Sequence, residues 1–215
     1  MVKKRLLLLG PPASGKGTQA DFIQKRFGIP STSTGAILRA EAKSGTPLGI
    51  KAQEVIRAGG LAADDLIMQV VQAWLTRMNG SFLLDGFPRT VAQAESFDHL
   101  LKARGQELDL AILLEVPEKT IYRRMSLRLT CTQCGKAISL GRHVSDPSEP
   151  CPNCGGRLEI RADDNQMALA RRMEEYRKKT LPVTDFYERA GILARVNGDR
   201  EIEAVSSEIE RLIEG

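Results

Sequence analysis

The sequence predicts an α/β protein in which a central parallel β-sheet is covered by helices on both faces. The first apolar run, residues 6–9, consists of four leucines without alternation, as in a strand buried on both faces. A loop rich in glycine and proline follows, and residues 16–27 then have a helical pattern. Further apolar runs alternate with helical stretches along the chain, which indicates parallel strands joined by helical crossovers.

The remaining elements continue this alternation. Besides residues 6–9, we expect strands at 81–84, 110–116 and 193–196, with a weakly marked one at 29–32. Helical patterns cover residues 16–27, 64–78, 91–103, 118–128, 165–189 and 201–213. Two segments interrupt the alternation, because residues 33–62 are helical and punctuated by glycine, while residues 129–162 are rich in Cys, Gly, Pro and Ser. We expect both to be insertions into a single core that spans residues 1–215.

Composition and charge argue against several classes of protein. Hydrophobic residues make up 42% of the 215 residues and charged residues 27%, the profile of a soluble globular chain. The net charge of +4 is too small to indicate nucleic-acid binding by itself. The apolar run at residues 6–9 is too short for a signal peptide or a membrane span. We therefore expect a cytoplasmic protein without nucleic-acid or membrane partners.

Residues 10–18, Gly-Pro-Pro-Ala-Ser-Gly-Lys-Gly-Thr, match the Gly-x4-Gly-Lys pattern of a phosphate-binding P-loop. Small residues let main-chain N–H groups converge on phosphate oxygens, and the following helix directs its positive end at them. Lys16 adds a full charge that can reach the β- and γ-phosphates. Because Gly17 stands where Ser or Thr is usual and Thr18 comes next, we expect magnesium to be held mainly through water. A glycine-rich turn that binds nothing is the alternative, which the flanking strand and helix disfavour.

Four segments carry a resemblance to a known family. The P-loop continues as Gly-Lys-Gly-Thr-Gln, residues 33–39 read Ser-Thr-Gly-Ala-Ile-Leu-Arg, and residues 85–90 read Asp-Gly-Phe-Pro-Arg-Thr. Residues 161–165 read Arg-Ala-Asp-Asp-Asn, and Arg172 lies beyond them. In this order and spacing the chain resembles the nucleoside monophosphate kinases, and among them the adenylate kinases with a zinc-binding lid. The resemblance covers nearly the whole chain.

The resemblance implies a role for particular residues of this sequence. It implies an ATP site at Ala13, Ser14, Gly15, Lys16, Gly17, Thr18, Arg128, Ala137, Ile138 and Arg200. It implies an AMP site at Thr34, Arg39, Gly60, Leu61, Ala62, Gly86, Phe87, Pro88, Arg89, Gln93, Arg161 and Arg172. It implies that the catalytic residues are Lys16, Arg89, Arg124, Arg128, Arg161 and Arg172. Asp85 would orient magnesium through water, and arginine suits this chemistry because its planar fork grips two phosphate oxygens at once.

The resemblance also bears on which base is bound. Thr34 and Gln93 match positions that favour adenine, whereas uridylate and cytidylate kinases typically have Ala where Thr34 stands. A helix cap at Thr34 and a surface Gln93 are the structural alternative. The expected reaction is reversible, magnesium-dependent conversion of ATP plus AMP to two ADP, which serves adenine nucleotide homeostasis, by a monomer. A uridylate or cytidylate kinase of the same family stays open as an alternative.

Three features depart from the family pattern. In the lid, Ile138 and Arg142 occupy positions where an aromatic often packs near ATP, and Arg142 could stack there instead. The other two departures are single positions. Ala13 stands where the family usually has Gly, and a positive φ there would cost roughly 1–2 kcal/mol. Ala36 replaces an Asp near the monophosphate site. If these changes abolished turnover, the chain would be a nucleotide sensor that binds without phosphoryl transfer.

Two Cys-x2-Cys pairs, Cys131 with Cys134 and Cys151 with Cys154, are separated by 16 residues. Each pair supplies two thiolates from one tight turn, and two such turns complete a tetrahedron around Zn²⁺ without an open position. The segment is also poor in apolar residues, so we expect structural zinc rather than an apolar core to hold it together. Disulfides are disfavoured in a cytoplasmic chain. A zinc ribbon that binds nucleic acid is disfavoured too, because residues 131–160 contain no aromatic.

Overall fold

The computed structural model describes residues 2–58, 63–78, 80–160 and 166–215. Its main sheet has five parallel strands in the order β2-β3-β1-β4-β8. These strands are β1 (Arg5–Leu9), β2 (Ser31–Ser33), β3 (Phe82–Asp85), β4 (Leu110–Glu115) and β8 (Leu193–Asn197). The predicted parallel sheet is confirmed, and the weakly marked strand is β2 at its edge.

The described residues also form helices, several of which pack against this sheet. They are α1 (Lys16–Phe27), α2 (Thr34–Ala42), α3 (Pro47–Ala58), α4 (Asp64–Leu75), α5 (Val91–Ala103), α6 (Glu118–Ser126), α7 (Gln166–Glu175), α8 (Leu181–Arg189) and α9 (Ile202–Glu214). A π-helical turn, Tyr176–Thr180, lies between α7 and α8. No helix in the described part of the chain is both long and apolar enough to cross a membrane.

Strand β1 shows why a run of leucines forms the centre of the fold. Successive side chains of a strand point to opposite faces of the sheet. Leu7 and Leu9 accordingly pack into one apolar cluster, with helices that include α4, α5 and α8, whereas Leu6 and Leu8 pack into the other, with α1 and α9. All four leucines are buried, so helices cover both faces as predicted.

Two predicted helices differ from the structure. The helix expected at 118–128 ends at Ser126, because Arg128 already pairs with Ser139 in a strand. The helix expected at 165–189 is divided by the π-helical turn. Such turns are often found at functional sites, and this one brings Tyr176, Lys179 and Thr180 to the cleft described below.

The segment 33–62 was predicted as a helical insertion, and its described part forms α2 and α3. Glu41 stabilises the turn between α2 and α3. Its buried carboxylate accepts hydrogen bonds from Ser44 Oγ at 3.1 Å and from Thr46 Oγ1 at 2.9 Å. Arg77, which follows α4, donates to the same carboxylate at 3.1 Å. These bonds lower the pKa of Glu41, although burial opposes them as the largest single effect.

The segment that contains the cysteines forms a separate three-stranded antiparallel sheet, here called the lid. Its strands are β5 (Arg128–Cys131), β6 (Ala137–Ser139) and β7 (Leu158–Glu159), in the order β6-β5-β7. Its small apolar cluster consists of Leu129, Cys131, Ile138, Val144, Cys151 and Leu158. The expectation that this segment has no apolar core was therefore wrong, because β-pairing brings together apolar residues that are scattered in sequence.

Candidate functional site

The carboxyl ends of three neighbouring strands bring the sequence motifs together. In β3, Asp85 is in register with Leu8 of β1 and with Ser33 of β2. The P-loop, the 85–90 segment and the start of α2 therefore leave the sheet at one edge, where open α/β sheets bind ligands. They line a cleft of about 2000 Å³ that extends to the lid.

The P-loop presents main-chain N–H groups at the start of α1. Gly15 precedes the helix with a left-handed φ of 99°, and no side chain caps the helix. The first N–H groups of α1 are therefore available to an anion. Ala13 has a φ of 56°, the left-handed conformation that we considered from sequence. The P-loop therefore carries backbone strain at Ala13, because the left-handed conformation is costly for a residue with a Cβ.

Lys16 lies across the loop. Its ammonium donates to the carbonyls of Pro11 at 2.8 Å and Gly10 at 2.9 Å. Burial lowers the pKa of Lys16 to about 8, and Asp85 opposes that change. Burial also raises the pKa of Asp85, which Lys16 and Arg89 oppose. The cationic surroundings of Lys16 suit a ligand that brings several negative charges.

Arg89 also lines the cleft. Its Nε donates to Gly86 O at 3.1 Å, and its own carbonyl accepts from Thr180 Oγ1 at 3.1 Å. Phe87 is fully buried and packs edge-to-face on Phe97, with ring centroids 5.1 Å apart. Phe87 does not line the cleft, so its side chain supports the segment from the core.

Gln93, predicted to contact the monophosphate base, is buried and has partners at both ends of its amide. Its Oε1 accepts from Arg89 N at 2.8 Å, and its Nε2 donates to Asp64 Oδ1 at 2.6 Å. Thr90 Oγ1 donates to Asp64 Oδ2 at 2.8 Å and caps α5 by accepting from Gln93 N. Gln93 is thus not the surface residue of the structural alternative.

Thr34 is likewise not a helix cap. It is the first residue of α2 and is buried, while Ser33 caps the helix by accepting from Ala36 N at 3.3 Å. Thr34 lines the cleft, as does Arg39 one turn later.

Arg124 contacts main-chain carbonyls on two loops. Its guanidinium donates to Ser14 O at 3.3 Å and to Gly198 O at 2.8 Å. Its predicted contact with the polyphosphate stays a prediction, and the structure adds a role in bracing the P-loop. Arg128 and Arg172 line the same cleft, close enough to Lys16 to lower its pKa.

The residues predicted to bind nucleotides or magnesium thus fall into three groups. Those that line the cleft are Ala13, Ser14, Gly15, Lys16, Gly17, Thr18, Thr34, Arg39, Asp85, Gly86, Pro88, Arg89, Gln93, Arg124, Arg128, Ala137, Ile138, Arg172 and Arg200. Phe87 lies behind it. Gly60, Leu61, Ala62 and Arg161 lie outside the described residues. Ile138 also packs into the apolar cluster of the lid.

The four cysteines form one cluster in the lid. Their sulfur atoms all lie within 4.8 Å of one another, and Cys131 Sγ is 3.5 Å from Cys154 Sγ. Both Cys-x2-Cys turns close with similar main-chain bonds, from Gly135 N to Cys131 O at 3.0 Å and from Gly155 N to Cys151 O at 2.8 Å. Four soft ligands converging in this way suit a tetrahedral zinc site.

Electrostatics also favour a cation at this cluster. The main-chain N–H of Cys134 is the largest influence that lowers the pKa of Cys131, to about 6. The N–H of Gly156 favours the thiolate of Cys154, but the neighbouring sulfurs raise its pKa to about 12. Four thiolates therefore need a positive charge between them. A Cβ on Gly156 would lie 2.9 Å from Cys131 Sγ, so a side chain there would disturb the cluster.

Among the described residues, two ion pairs link the lid to the core. Lys136 Nζ lies 3.5 Å from Asp21 Oδ2 in α1, and Arg142 Nη2 lies 3.7 Å from Glu203 Oε1 in α9. Both pairs are exposed, so each contributes about 0–1 kcal/mol. They therefore stabilise the position of the lid against the core only weakly.

Sequence reasoning missed several residues of the cleft, among them Asp64, Tyr176, Lys179 and Thr180. Asp64 lies two positions after the 60–62 segment. An acidic residue in the first turn of a helix is common, so it gave no signal. The other three reach the cleft through the π-helical turn, which has no marker in the sequence.

A P-loop follows the central strand of a parallel sheet, and arginines from separate segments line the same cleft. These features define a P-loop phosphotransferase. A sequence model of the family described as adenylate kinase matches residues 8–192. The adenylate kinase of Clostridium botulinum (strain 657 / Type Ba4) is 43% identical over 211 residues, 97% of this chain and 98% of that protein. The adenylate kinase of Pelobacter propionicus is 41% identical over 212 residues, 98% of this chain and 96% of that protein. The chain belongs to the adenylate kinase family.

Proposed function

We propose that this protein catalyses reversible, magnesium-dependent phosphoryl transfer from ATP to AMP, which yields two ADP. The observation that carries the proposal is the convergence of Lys16, Asp85, Arg89, Arg128 and Arg172 in one cleft. Phosphoryl transfer needs two anionic nucleotides held in line and donors that neutralise charge on the moving group. Lys16, Arg89, Arg128 and Arg172 supply that positive charge.

ATP occupies the P-loop side. Main-chain N–H groups of residues 13–18 bind its phosphates, and the Lys16 ammonium exchanges the carbonyls of Gly10 and Pro11 for phosphate oxygens. Arg128 and Arg200 approach from the lid and from the loop after β8, and Ala137 and Ile138 lie along the adenine. Closing the lid excludes water, which would otherwise accept the phosphoryl group.

AMP occupies the side formed by α2, α4 and the 85–90 segment. Arg39 and Arg89 grip its phosphate, with Arg161 and Arg172 added when the lid closes. Thr34, Gln93 and the main chain at 60–62 surround its base. The phosphate then lies between Arg89 and the P-loop, in line with the γ-phosphate of ATP.

Magnesium and zinc have separate roles in this proposal. Asp85, beside Lys16, is the carboxylate that orients magnesium through water, and magnesium supplies further neutralisation of the ATP phosphates. Cys131, Cys134, Cys151 and Cys154 fill all four positions of a zinc ion, which leaves it a structural role in the lid. We propose that the protein works as a monomer in the cytoplasm.

The test is a panel of acceptors. ADP formation is measured with ATP and magnesium plus AMP, UMP or CMP at equal concentrations, and we expect AMP to react fastest. Lys16→Met should abolish most turnover while the variant stays folded, and Lys51→Met, an exposed lysine of α3, is the matched control. Faster reaction of UMP or CMP would overturn the adenylate assignment, and nucleotide binding without any ADP would indicate a sensor.

A further inference from the structure

We propose that Asp64 is a positioning residue that locks the orientation of the Gln93 amide and so sets the choice of acceptor base. The proposal rests on the proposed function, in which Gln93 contacts the base of the monophosphate. It concerns a residue in the first turn of α4 that lines the cleft but belongs to none of the sequence motifs.

The Gln93 amide has a distinct partner at each end. The carboxylate of Asp64 can only accept hydrogen bonds, so the Gln93 atom 2.6 Å from it must be the Nε2 donor. The main-chain N–H of Arg89 can only donate, so the atom 2.8 Å from it must be Oε1. The two contacts agree on one orientation, and the reversed amide would place like groups against each other at both ends.

Thr90 keeps the carboxylate in place. Its hydroxyl donates to the second oxygen of Asp64 at 2.8 Å, and the same hydroxyl accepts from Gln93 N at 3.2 Å. The hydroxyl therefore uses its only proton on Asp64. Asp64, Thr90 and Gln93 form a closed ring of hydrogen bonds that joins α4 to the start of α5. The N-terminus of α4 also favours the negative charge of Asp64.

A locked amide reads the donor and acceptor order of a base. The edge of adenine offers an amino donor beside a ring-nitrogen acceptor, whereas hypoxanthine offers a carbonyl acceptor beside a ring N–H donor. The two bases have nearly the same shape, so steric fit does not separate AMP from IMP. An amide that can rotate by half a turn can bind either arrangement of donor and acceptor on the base. An amide fixed at both ends can bind only one of them.

The consequence concerns discrimination more than catalysis. Without Asp64, Arg89 N still favours one amide orientation, but the second restraint is lost. In the proposed function the phosphates are bound by Lys16 and by arginine side chains, whereas this ring contacts Arg89 through its main-chain N–H. Removal of Asp64 should therefore act on KM for the acceptor, with little effect on kcat or on KM for ATP.

The experiment compares Asp64→Ala with Asp65→Ala, which removes an exposed carboxylate from the same turn of the same helix. For each variant, kcat and KM are measured with AMP and with IMP, and KM with ATP. We expect Asp64→Ala to reduce the ratio of kcat/KM for AMP to that for IMP by about tenfold, since a lost charged hydrogen bond is worth that much or more. Asp65→Ala should leave the ratio unchanged.

Two further variants sharpen the test. Asp64→Asn keeps an oxygen that can accept from Gln93 Nε2, so most of the discrimination should return. Asp64→Ser removes the carboxylate but keeps a residue that suits the start of a helix, and it carries the test should Asp64→Ala not fold.

The outcomes separate this inference from the proposed function. If the unchanged protein makes no ADP from AMP, the proposed function fails. If it does, but removal of Asp64 lowers kcat/KM equally for AMP and IMP, Asp64 has only a structural role. The inference is likewise overturned if the Asp64 and Asp65 variants keep the same ratio.

Discussion

The guanidinium of Arg124, in α6, donates a hydrogen bond of 2.8 Å to the main-chain carbonyl of Gly198, beyond the end of β8. A second bond, to Ser14 O, places the same side chain under the P-loop. Gly198 is tightly surrounded, because a Cβ there would lie 2.9 Å from Val116 Cγ2 and 3.3 Å from Ser14 O. Arg124 therefore joins the end of β8 to the P-loop.

This contact predicts an effect on stability without nucleotide. Arg124→Ala should lower the free energy of unfolding by about 2 kcal/mol, because two carbonyls lose a charged donor. It should also raise KM for ATP as the P-loop loosens. Arg123→Ala, which removes the exposed neighbour, should change stability by less than about 0.5 kcal/mol. Denaturant unfolding of both nucleotide-free variants is the measurement, and equal stability would mean that Arg124 acts on phosphates alone.

The buried ammonium of Lys16 predicts a dependence of stability on pH. Its pKa in the folded protein is about 8, below its usual value of 10.5. Between these values the unfolded chain binds more protons, so this group adds stability as pH rises through that window. Below about pH 8 the contribution is absent. The stability of the native protein minus that of Lys16→Met, measured by denaturant unfolding, should therefore increase from pH 8 to pH 10, and a flat difference would contradict the lowered pKa.

The left-handed conformation of Ala13 predicts that Ala13→Gly stabilises the protein. Relief of the positive φ should stabilise the folded state by roughly 1–2 kcal/mol. The greater conformational freedom of glycine in the unfolded chain should offset roughly 0.4–1 kcal/mol of that gain. We expect a net gain of about 1 kcal/mol in thermal unfolding. Ala40→Gly, at an exposed position inside α2, is the control and should destabilise by roughly 0.5–1 kcal/mol. Loss of stability in Ala13→Gly would show that the loop carries no such strain.

The cysteine cluster predicts one zinc per chain in the purified protein. Cys151→Ser, at a buried ligand position, should lower zinc content and the unfolding temperature together, with activity at low temperature only partly reduced. Zinc should also leave at acid pH, because thiolates must be deprotonated to bind it. Elemental analysis and thermal unfolding are the measurements, with Thr132→Ser as a control inside the first turn. A reduced, folded protein without any bound metal would overturn the zinc-lid proposal.

The sequence by itself determined the features that depend on local order. A run of leucines, a glycine-rich loop and a helix with Lys16 at its start predict a strand, a phosphate cradle and their sequence of connection. The order of strands and helices then predicts a parallel sheet covered by helices on both faces. The cysteine spacing likewise predicts a four-sulfur cluster, because each pair lies within a single tight turn.

Only the tertiary structure decided which side chains meet across long separations. Arg124 and Gly198 are 74 positions apart, and Gln93 and Asp64 are 29 apart. No periodicity or motif relates such pairs, since their contact depends on how helices pack on the sheet. For the same reason, neither the apolar cluster of the lid nor the π-helical turn could be predicted from the sequence. The apolar cluster forms only when the strands of the lid pair, and the turn divides a stretch with a continuous helical pattern. What each residue type can do is local chemistry, but its partner is set by packing.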